Sequence, residues 1–358
     1  MQSFRVELGP ASHDVHVGSA LLDELGALAL GAGLKPAKSI IVTDSNVTQF
    51  YGKQVTGSLE RAGFSVQLLT IPAGEQSKSA EVIAAIYDMM TNLGIDRSGT
   101  VFALGGGVVG DLAGFAAATY LRGIAVVQIP TTVTAQVDSS LGGKTGINHR
   151  LAKNLIGAFH QPRLIVADID TLSTLPDREF REGLAEVIKY GAIMDAPMIV
   201  SLEHGLEAIL ARNQGALEEM VARSLKHKAA VVSADEREGG LRKILNFGHT
   251  IGHAIEASAG YGEYLHGEAV AIGMVAAARL SSLHSGLSAD ESSRLFRLIE
   301  RAGLPVEMPS EWRDESFMRA LRLDKKRSDG GVEFVLLDRL GHALTRKLDV
   351  DSIVALLN

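Results

Sequence analysis

Cysteine is absent from all 358 residues, which excludes disulfides, thiolate-bound zinc and a cysteine nucleophile. Long apolar runs are missing too: the longest, Ala269 to Ala278, is about half a membrane span. The opening MQSFRVELGP has no basic segment leading into an apolar stretch, so no secretory signal is read there. An excess of positive charge is also lacking. Thirty-five Lys and Arg face 42 Asp and Glu, a net charge of −7, which argues against nucleic acid as a partner. These absences lead us to expect a soluble, cytoplasmic globular protein that needs neither membrane nor nucleic acid. At roughly 150 residues per domain the chain should form about two domains, ample to bury a core without covalent staples.

The first half alternates short β-branched runs with helical patterns. Candidate strands are Ser39–Thr43, Val66–Ile71, Thr100–Leu104, Ala125–Ile129 and Leu164–Ala167. Each ends in a turn signal, as strands covered on both faces do. Helical spacing over Ala80–Asn92 lies between them, and the alternation predicts a parallel α/β sheet. The second half is rich in alanine, leucine, glutamate and lysine at helical spacing. Thr174-Leu-Pro-Asp177 reads as a helix start with a threonine cap. Ser288-Ala-Asp-Glu291 reads as a capping box whose helix stops before Gly303-Leu-Pro305. Only Glu333–Leu337 reads as β there. We therefore expect an α/β domain over residues 1–172 and a mostly α-helical one over 173–358.

Gly105-Gly-Gly-Val-Val-Gly110 fits G-x-G-x-x-G, directly after a predicted strand and opening an apolar segment. Such a loop lets a pyrophosphate approach the backbone at a helix N-terminus; a structural glycine turn is the bland alternative. No acid follows about twenty residues on, as ribose binding would require. Asp44, at the end of an earlier strand, is placed to take that role. Gly142-Gly143-Lys144-Thr145 imitates the tail of a P-loop. Asp138 occupies the first glycine's position, so that reading fails, although Lys144 remains a candidate phosphate contact.

His249, His253 and His266 fall within 18 residues. His249 and His253 are four apart and share a helix face, a spacing that can chelate a metal. A carboxylate should complete the set, but spacing cannot choose it or the histidines. Glu186 and Lys189, three apart, read as an ordinary helical ion pair. Lys228 and Arg242 flank the histidine segment, and cations there in an acidic chain point to an anionic substrate.

Several of these stretches together resemble the 3-dehydroquinate synthase family. They are Pro72-Ala-Gly-Glu-Gln-Ser-Lys78, Gly105 to Asp111, Pro130-Thr-Thr, Gln136 to Thr145, Ala185 to Gly191, Asn246-Phe-Gly-His-Thr, Leu265-His-Gly-Glu-Ala and Asp324-Lys-Lys326. The resemblance implies a Rossmann-like NAD-binding domain followed by an α-helical metal- and substrate-binding domain. It also implies NAD+, a divalent zinc or cobalt ion, a homodimer and a sugar-phosphate substrate. The reaction it implies is conversion of 3-deoxy-D-arabino-heptulosonate 7-phosphate to 3-dehydroquinate and phosphate, by transient oxidation, elimination, reduction and aldol closure.

On the resemblance, the metal ligands are Glu186, His249 and His266, which displaces the ion-pair reading of Glu186 and makes His253 a substrate-side residue. The cofactor residues fall on Asp44, Asn46, Glu75, Lys78, Gly107, Val108, Val109, Gly110, Asp111, Thr131, Thr132, Lys144, Lys153, Thr171 and Thr174. The substrate and catalytic residues fall on Arg122, Asp138, Lys144, Asn154, Lys189, Lys228, Arg242, Asn246, His253 and one of Lys325 and Lys326, with Lys325 preferred. Arg122, Lys144, Asn154 and Lys325 would hold phosphate; Arg242 and Lys228 would hold the carboxylate. Cyclases making inosose or valiolone rings share this pattern, but their substrates lack the carboxylate such a cationic pair serves. A metal- and NAD-dependent polyol dehydrogenase is a further alternative, distinguished by net NADH.

Overall fold

The computed structural model describes residues 1–150, 152–259, 263–309, 317–319, 321, 332–349 and 353. Two compact units emerge, Met1–Leu175 with Gln214–Arg237, and Pro176–Asn213 with Glu238–Asn358.

The first unit is built on a seven-stranded sheet. In chain order its elements begin β1 (Gln2–Val6), β2 (His13–Gly18), α1 (Leu21–Gly31), β3 (Lys38–Asp44), α2 (Lys53–Arg61), β4 (Ser65–Ile71) and α3 (Ala80–Asn92). They continue with β5 (Thr100–Gly105), α4 (Gly107–Thr119), β6 (Ala125–Pro130), β7 (Lys144–His149), β8 (Ala152–Phe159) and β9 (Leu164–Asp168). The sheet order is β1-β2-β9-β6-β5-β3-β4, and only the β1–β2 pair is antiparallel. All five anticipated strands lie in its parallel part. Every residue of β5 and β9 is buried, which is why the sequence shows unbroken apolar runs rather than alternation. Helices cover both faces; beneath one, Phe64 and Phe102 meet edge to face at 5.6 Å. β7 and β8 form a separate two-stranded ribbon.

The second unit carries α5 (Asp177–Met194), α6 (Ala196–Leu210), α8 (His249–Ala259), α9 (His266–His284) and α10 (Ala289–Arg301), then a hairpin of β10 (Val332–Arg339) and β11 (His342–Leu348). The intervening α7 (Gln214–Ala234) belongs to the first unit, a return that a single division at residue 172 does not contain. Two local expectations need correction. Thr174 does not cap α5: it lies in a short 3-10 turn, its hydroxyl donates to the Thr171 carbonyl, and Pro176 takes the N-cap position. The β signal at Glu333–Leu337 belongs to a hairpin whose second strand, with its exposed residues, carries too little apolar pattern to read. The Ser288 capping box forms as expected, and α10 ends at Arg301.

Small residues let the helices of this unit approach closely. A Cβ on Gly273 of α9 would lie 1.9 Å from the Gly248 carbonyl oxygen, just before α8, and one on Gly267 would lie 1.9 Å from the Glu182 carbonyl of α5. Residue 267 follows His266, residue 248 precedes His249, and Glu182 is one turn before Glu186. These contacts therefore set the spacing of the three side chains. Among the described residues, no helix is long and apolar enough to cross a membrane. Gly273→Ala should destabilise the chain by about 1–3 kcal/mol through overpacking. An unchanged denaturant midpoint would show that the two helices have room to spare.

Candidate active site

In the first unit, the loops leaving the C-terminal ends of parallel strands gather most of the expected cofactor residues, the usual place for a ligand in such a sheet. Asp44 ends β3 and accepts from the backbone N–H groups of Asn46 and Val47, at 2.8 and 3.1 Å. Glu75 and Lys78 follow β4, Thr131 and Thr132 follow β6, and Thr171 and Thr174 follow β9. Gly107 to Asp111, with Val108, Val109 and Gly110, form the first turn of α4. Its N-cap, Gly106, offers no side chain to that turn, which leaves the helix end open to an anion. A Cβ on Gly110 would come within 2.8 Å of Gln128 Oε1, so this glycine also permits close packing of helix on strand.

Lys78 organises the neighbourhood. Its buried ammonium donates to Asp111 Oδ2 at 2.7 Å, to the Asn154 side chain, and lies 3.8 Å from Glu75. Burial pushes the Asp111 carboxyl above the ordinary carboxylate range, although Lys78 pulls it back. Asn154 on β8 is left-handed (φ 54°), and its N–H donates to Asn148 Oδ1 at 2.9 Å. Arg122 stands on an exposed turn where Leu121, Arg122 and Gly123 all have positive φ, a strained backbone of the kind found at ligand sites. Lys228 on α7 pairs with Asp138 Oδ1 at 3.0 Å and donates to its carbonyl at 2.7 Å. Lys144 begins β7 and Lys153 is the second residue of β8, and both are less enclosed.

The second unit holds the sharper feature. Glu186, on α5, is 1% exposed. Its Oε1 lies 3.4 Å from Nε2 of both His249 and His266, the first residues of α8 and α9. Its Oε2 forms an ion pair with Lys189 but accepts no hydrogen bond. The helical ion pair read from spacing is therefore real, yet it occupies only half of the carboxylate. Burial alone would push Glu186 up; Lys189 and His249 outweigh it and hold the carboxyl well below its usual range. Burial likewise lowers His266, but bonds to Glu186 and Glu256 win and push it up to about 10. The cluster thus draws a proton into the place a cation would fill. One carboxylate and two imidazole nitrogens, their ligand atoms all within 4.8 Å of one another, form a donor set suited to zinc or cobalt.

His253 is exposed on α8, its ring 5.4 Å from His249 and 6.1 Å from His266. Arg242 is 2% exposed in the turn Leu241–Asn246, and Asn246 ends that turn with its amide 3.4 Å from Glu238 Oε1. Lys325 and Lys326 lie outside the described residues. Sequence reasoning missed two acids. Glu238 has positive φ (62°) and bonds Asn246; no motif marks it. Glu256 contacts His266 and could have been found as the residue two helical turns after His249, on the same face.

Comparison with known proteins decides the family. Residues 68–182 match the N-terminal and residues 183–327 the C-terminal model of 3-dehydroquinate synthase. A 3-dehydroquinate synthase of Geobacter metallireducens is 47% identical over 355 residues, 99% of this chain and 98% of that protein. The chain belongs to the 3-dehydroquinate synthase family. Among solved structures, the 2-epi-5-epi-valiolone synthase ValA of Streptomyces hygroscopicus, with NAD+ and Zn2+ bound, is 31% identical at a TM-score of 0.89. It covers 98% of this chain and 97% of its own. A 2-deoxy-scyllo-inosose synthase complexed with carbaglucose-6-phosphate, NAD+ and Co2+ is 26% identical at a TM-score of 0.90, with 99% and 98% covered. The α/β fold with its helical second unit is thus shared by the 3-dehydroquinate synthase family and other sugar phosphate cyclases.

If the acid and two imidazoles bind a divalent ion, zinc at a hundredfold excess over its Kd should stabilise the chain by about 2.7 kcal/mol. It should also release about one proton near pH 8, since imidazole must be neutral to bind. A thermal shift and calorimetry in buffers of different ionisation enthalpy measure both effects. Glu186→Gln should lose them; equal zinc responses in both proteins would remove Glu186 from the ligand set.

Proposed function

We propose that this chain is a 3-dehydroquinate synthase, converting 3-deoxy-D-arabino-heptulosonate 7-phosphate to 3-dehydroquinate and phosphate in the shikimate pathway. The observation that carries this reading is the near-half identity to 3-dehydroquinate synthases along almost the whole chain. The family resemblance, which assigns Arg242 and Lys228 to a substrate carboxylate, supports it against the inosose and valiolone cyclases, whose substrates carry none.

When bound, NAD+ supplies a temporary hydride acceptor and zinc or cobalt a Lewis acid for the substrate hydroxyls, so the overall reaction is redox-neutral. The chain's own residues bind and position. The open N-terminus of α4, Gly107 to Asp111, receives the pyrophosphate, and Asp44 receives a ribose hydroxyl. Asn46, Glu75, Lys78, Thr131, Thr132, Lys153, Thr171 and Thr174 complete the cofactor's surroundings. Glu186, His249 and His266 hold the metal. Arg122, Lys144, Asn154 and Lys325 hold the substrate phosphate, whose own oxygen takes the neighbouring C6 proton, leaving the protein chiefly a positioning task. Arg242 offers a planar fork to the carboxylate, seconded by Lys228. Asp138, Lys189, Asn246 and His253 contact the hydroxyls, and His253 accepts or returns protons at its ring nitrogens.

We also infer that the protein works as a cytoplasmic homodimer. The β7–β8 ribbon exposes Leu155, Ile156 and Phe159 at 56, 42 and 49%, more apolar surface than an isolated ribbon favours. Phe159→Asp should shift the sedimenting species toward monomer; an unchanged dimer would place the contact elsewhere.

Incubation with the heptulosonate phosphate, NAD+ and zinc should release phosphate and form dehydroquinate without lasting NADH absorbance, and a chelator should stop it. Net NADH would instead mark a dehydrogenase. Turnover only of carboxylate-free sugar phosphates would mark another cyclase. Arg242→Ala should weaken binding of the substrate by ~2–5 kcal/mol, the cost of unpairing a desolvated charge. Unchanged affinity for a carboxylate-bearing analogue would sink that role.

A further inference from the structure

Both imidazoles of the Glu186 cluster present Nε2 to the carboxylate, which leaves Nδ1 to be held from outside. For His249 the holder is backbone: Nδ1 lies 3.1 Å from the Phe247 carbonyl oxygen. For His266 it is a side chain, Glu256, whose Oε2 lies 3.4 Å from Nδ1. Glu256 is 12% exposed and sits two turns along α8 from His249, so one helix face supplies a ring and the acid that steadies the other ring.

We propose that Glu256 is a positioning residue of the metal centre: its carboxylate accepts the Nδ1–H of His266 and so keeps Nε2 turned toward Glu186, where a cation can take the place of the proton between them. The inference rests on the metal-binding reading of Glu186, His249 and His266. Three physical points carry it. A neutral imidazole has one N–H, and an acceptor on Nδ1 fixes which nitrogen bears it. An anionic acceptor raises the basicity of the opposite nitrogen more than a carbonyl does, which strengthens a metal bond there. Finally, His266 opens α9 and is 37% exposed at its side chain, whereas the His249 side chain is 12% exposed, so His266 is the ring more in need of a fixed rotamer.

A different use of the same atoms is available. His253, Glu256 and His266 also bring ligand atoms within 4.8 Å of one another. There Glu256 would be a ligand and His266 would bind through Nδ1. The positioning reading is preferred because Nδ1 already has an acceptor in hydrogen-bond geometry, while Nε2 faces the more deeply buried carboxylate.

The test uses full-length protein stripped of metal and titrated with zinc against a chromophoric chelator. Glu256→Ala should weaken zinc binding by about 10- to 100-fold, and Glu256→Gln, which keeps a neutral acceptor, by less. A fall in melting temperature with zinc affinity within twofold of the parent protein would overturn the proposal and leave Glu256 a structural residue. Should the alanine variant fail to fold, histidine-labelled parent protein loaded with 113Cd decides. Coupling to His266 Nε2 with the Nδ1 proton retained supports the proposal; coupling to Nδ1 overturns it and makes Glu256 a ligand of the alternative site. A parent protein that takes up no zinc would instead defeat the metal reading itself.

Discussion

A carboxylate as buried as Glu186 cannot stay ionised unless positive charge is brought to it, because desolvation costs several kcal/mol for each uncompensated ion. The second unit answers that constraint. Lys189 reaches Oε2 from one turn further along the same helix, and two imidazoles converge on Oε1 from α8 and α9. Three helices can bring side chains that close only if their backbones nearly touch, and Gly267 and Gly273 mark where they do. Geometry, charge and packing are therefore one arrangement: a larger residue at either glycine would spread the very atoms that neutralise Glu186.

The first unit solves a different problem, how to offer a polar edge on a sheet whose central strands are largely apolar and buried. Its answer is topological. Parallel strands release their loops on one side, and those loops carry Asp44, Glu75, Lys78, Thr131 and Thr171. Around Lys78, ion pairs and hydrogen bonds to side-chain amides tie the loop after β4 to α4 and to the β7–β8 ribbon. Exchanging Lys78 for a neutral residue would strand Asp111, whose carboxyl already sits above its ordinary range. The left-handed backbones at Arg122 and Asn154 fall on two of the residues proposed to hold phosphate, and backbone strain of this kind collects at ligand sites.

How far the sequence foretold this differs from element to element, for physical reasons. β3, β5, β6 and β9 were legible because burial on both faces writes itself as unbroken apolar runs, and β4, a half-exposed edge strand, showed through its apolar residues between turn signals. β8 and β11, with many exposed residues, left no such pattern. The membership of α7 in the first unit was invisible, since helical periodicity reveals a face but not which unit receives it. Glu186 read as a helical ion pair, and that pair exists; its second oxygen belongs to histidines more than 60 residues away in sequence, and only the family resemblance pointed there. The same resemblance separated His249 from His253, which spacing treats alike. Thr174 imitated a cap because Thr-x-Pro-acid resembles a helix start, yet the helix begins after the proline and the hydroxyl turns back to Thr171. Glu256 went unnoticed because a single acid on a histidine-bearing face says nothing until a ring from another helix lands on it.

The central claim is that one cation resolves the charge held by Glu186, His249 and His266. Diffraction from zinc-loaded crystals, measured on both sides of the zinc absorption edge, tests it most directly. One anomalous peak per chain is expected, about 2.0–2.1 Å from Nε2 of both histidines and at bonding distance from Glu186. A peak among His253, Glu256 and His266, or none at all beside an intact Glu186–Lys189 pair, would contradict it.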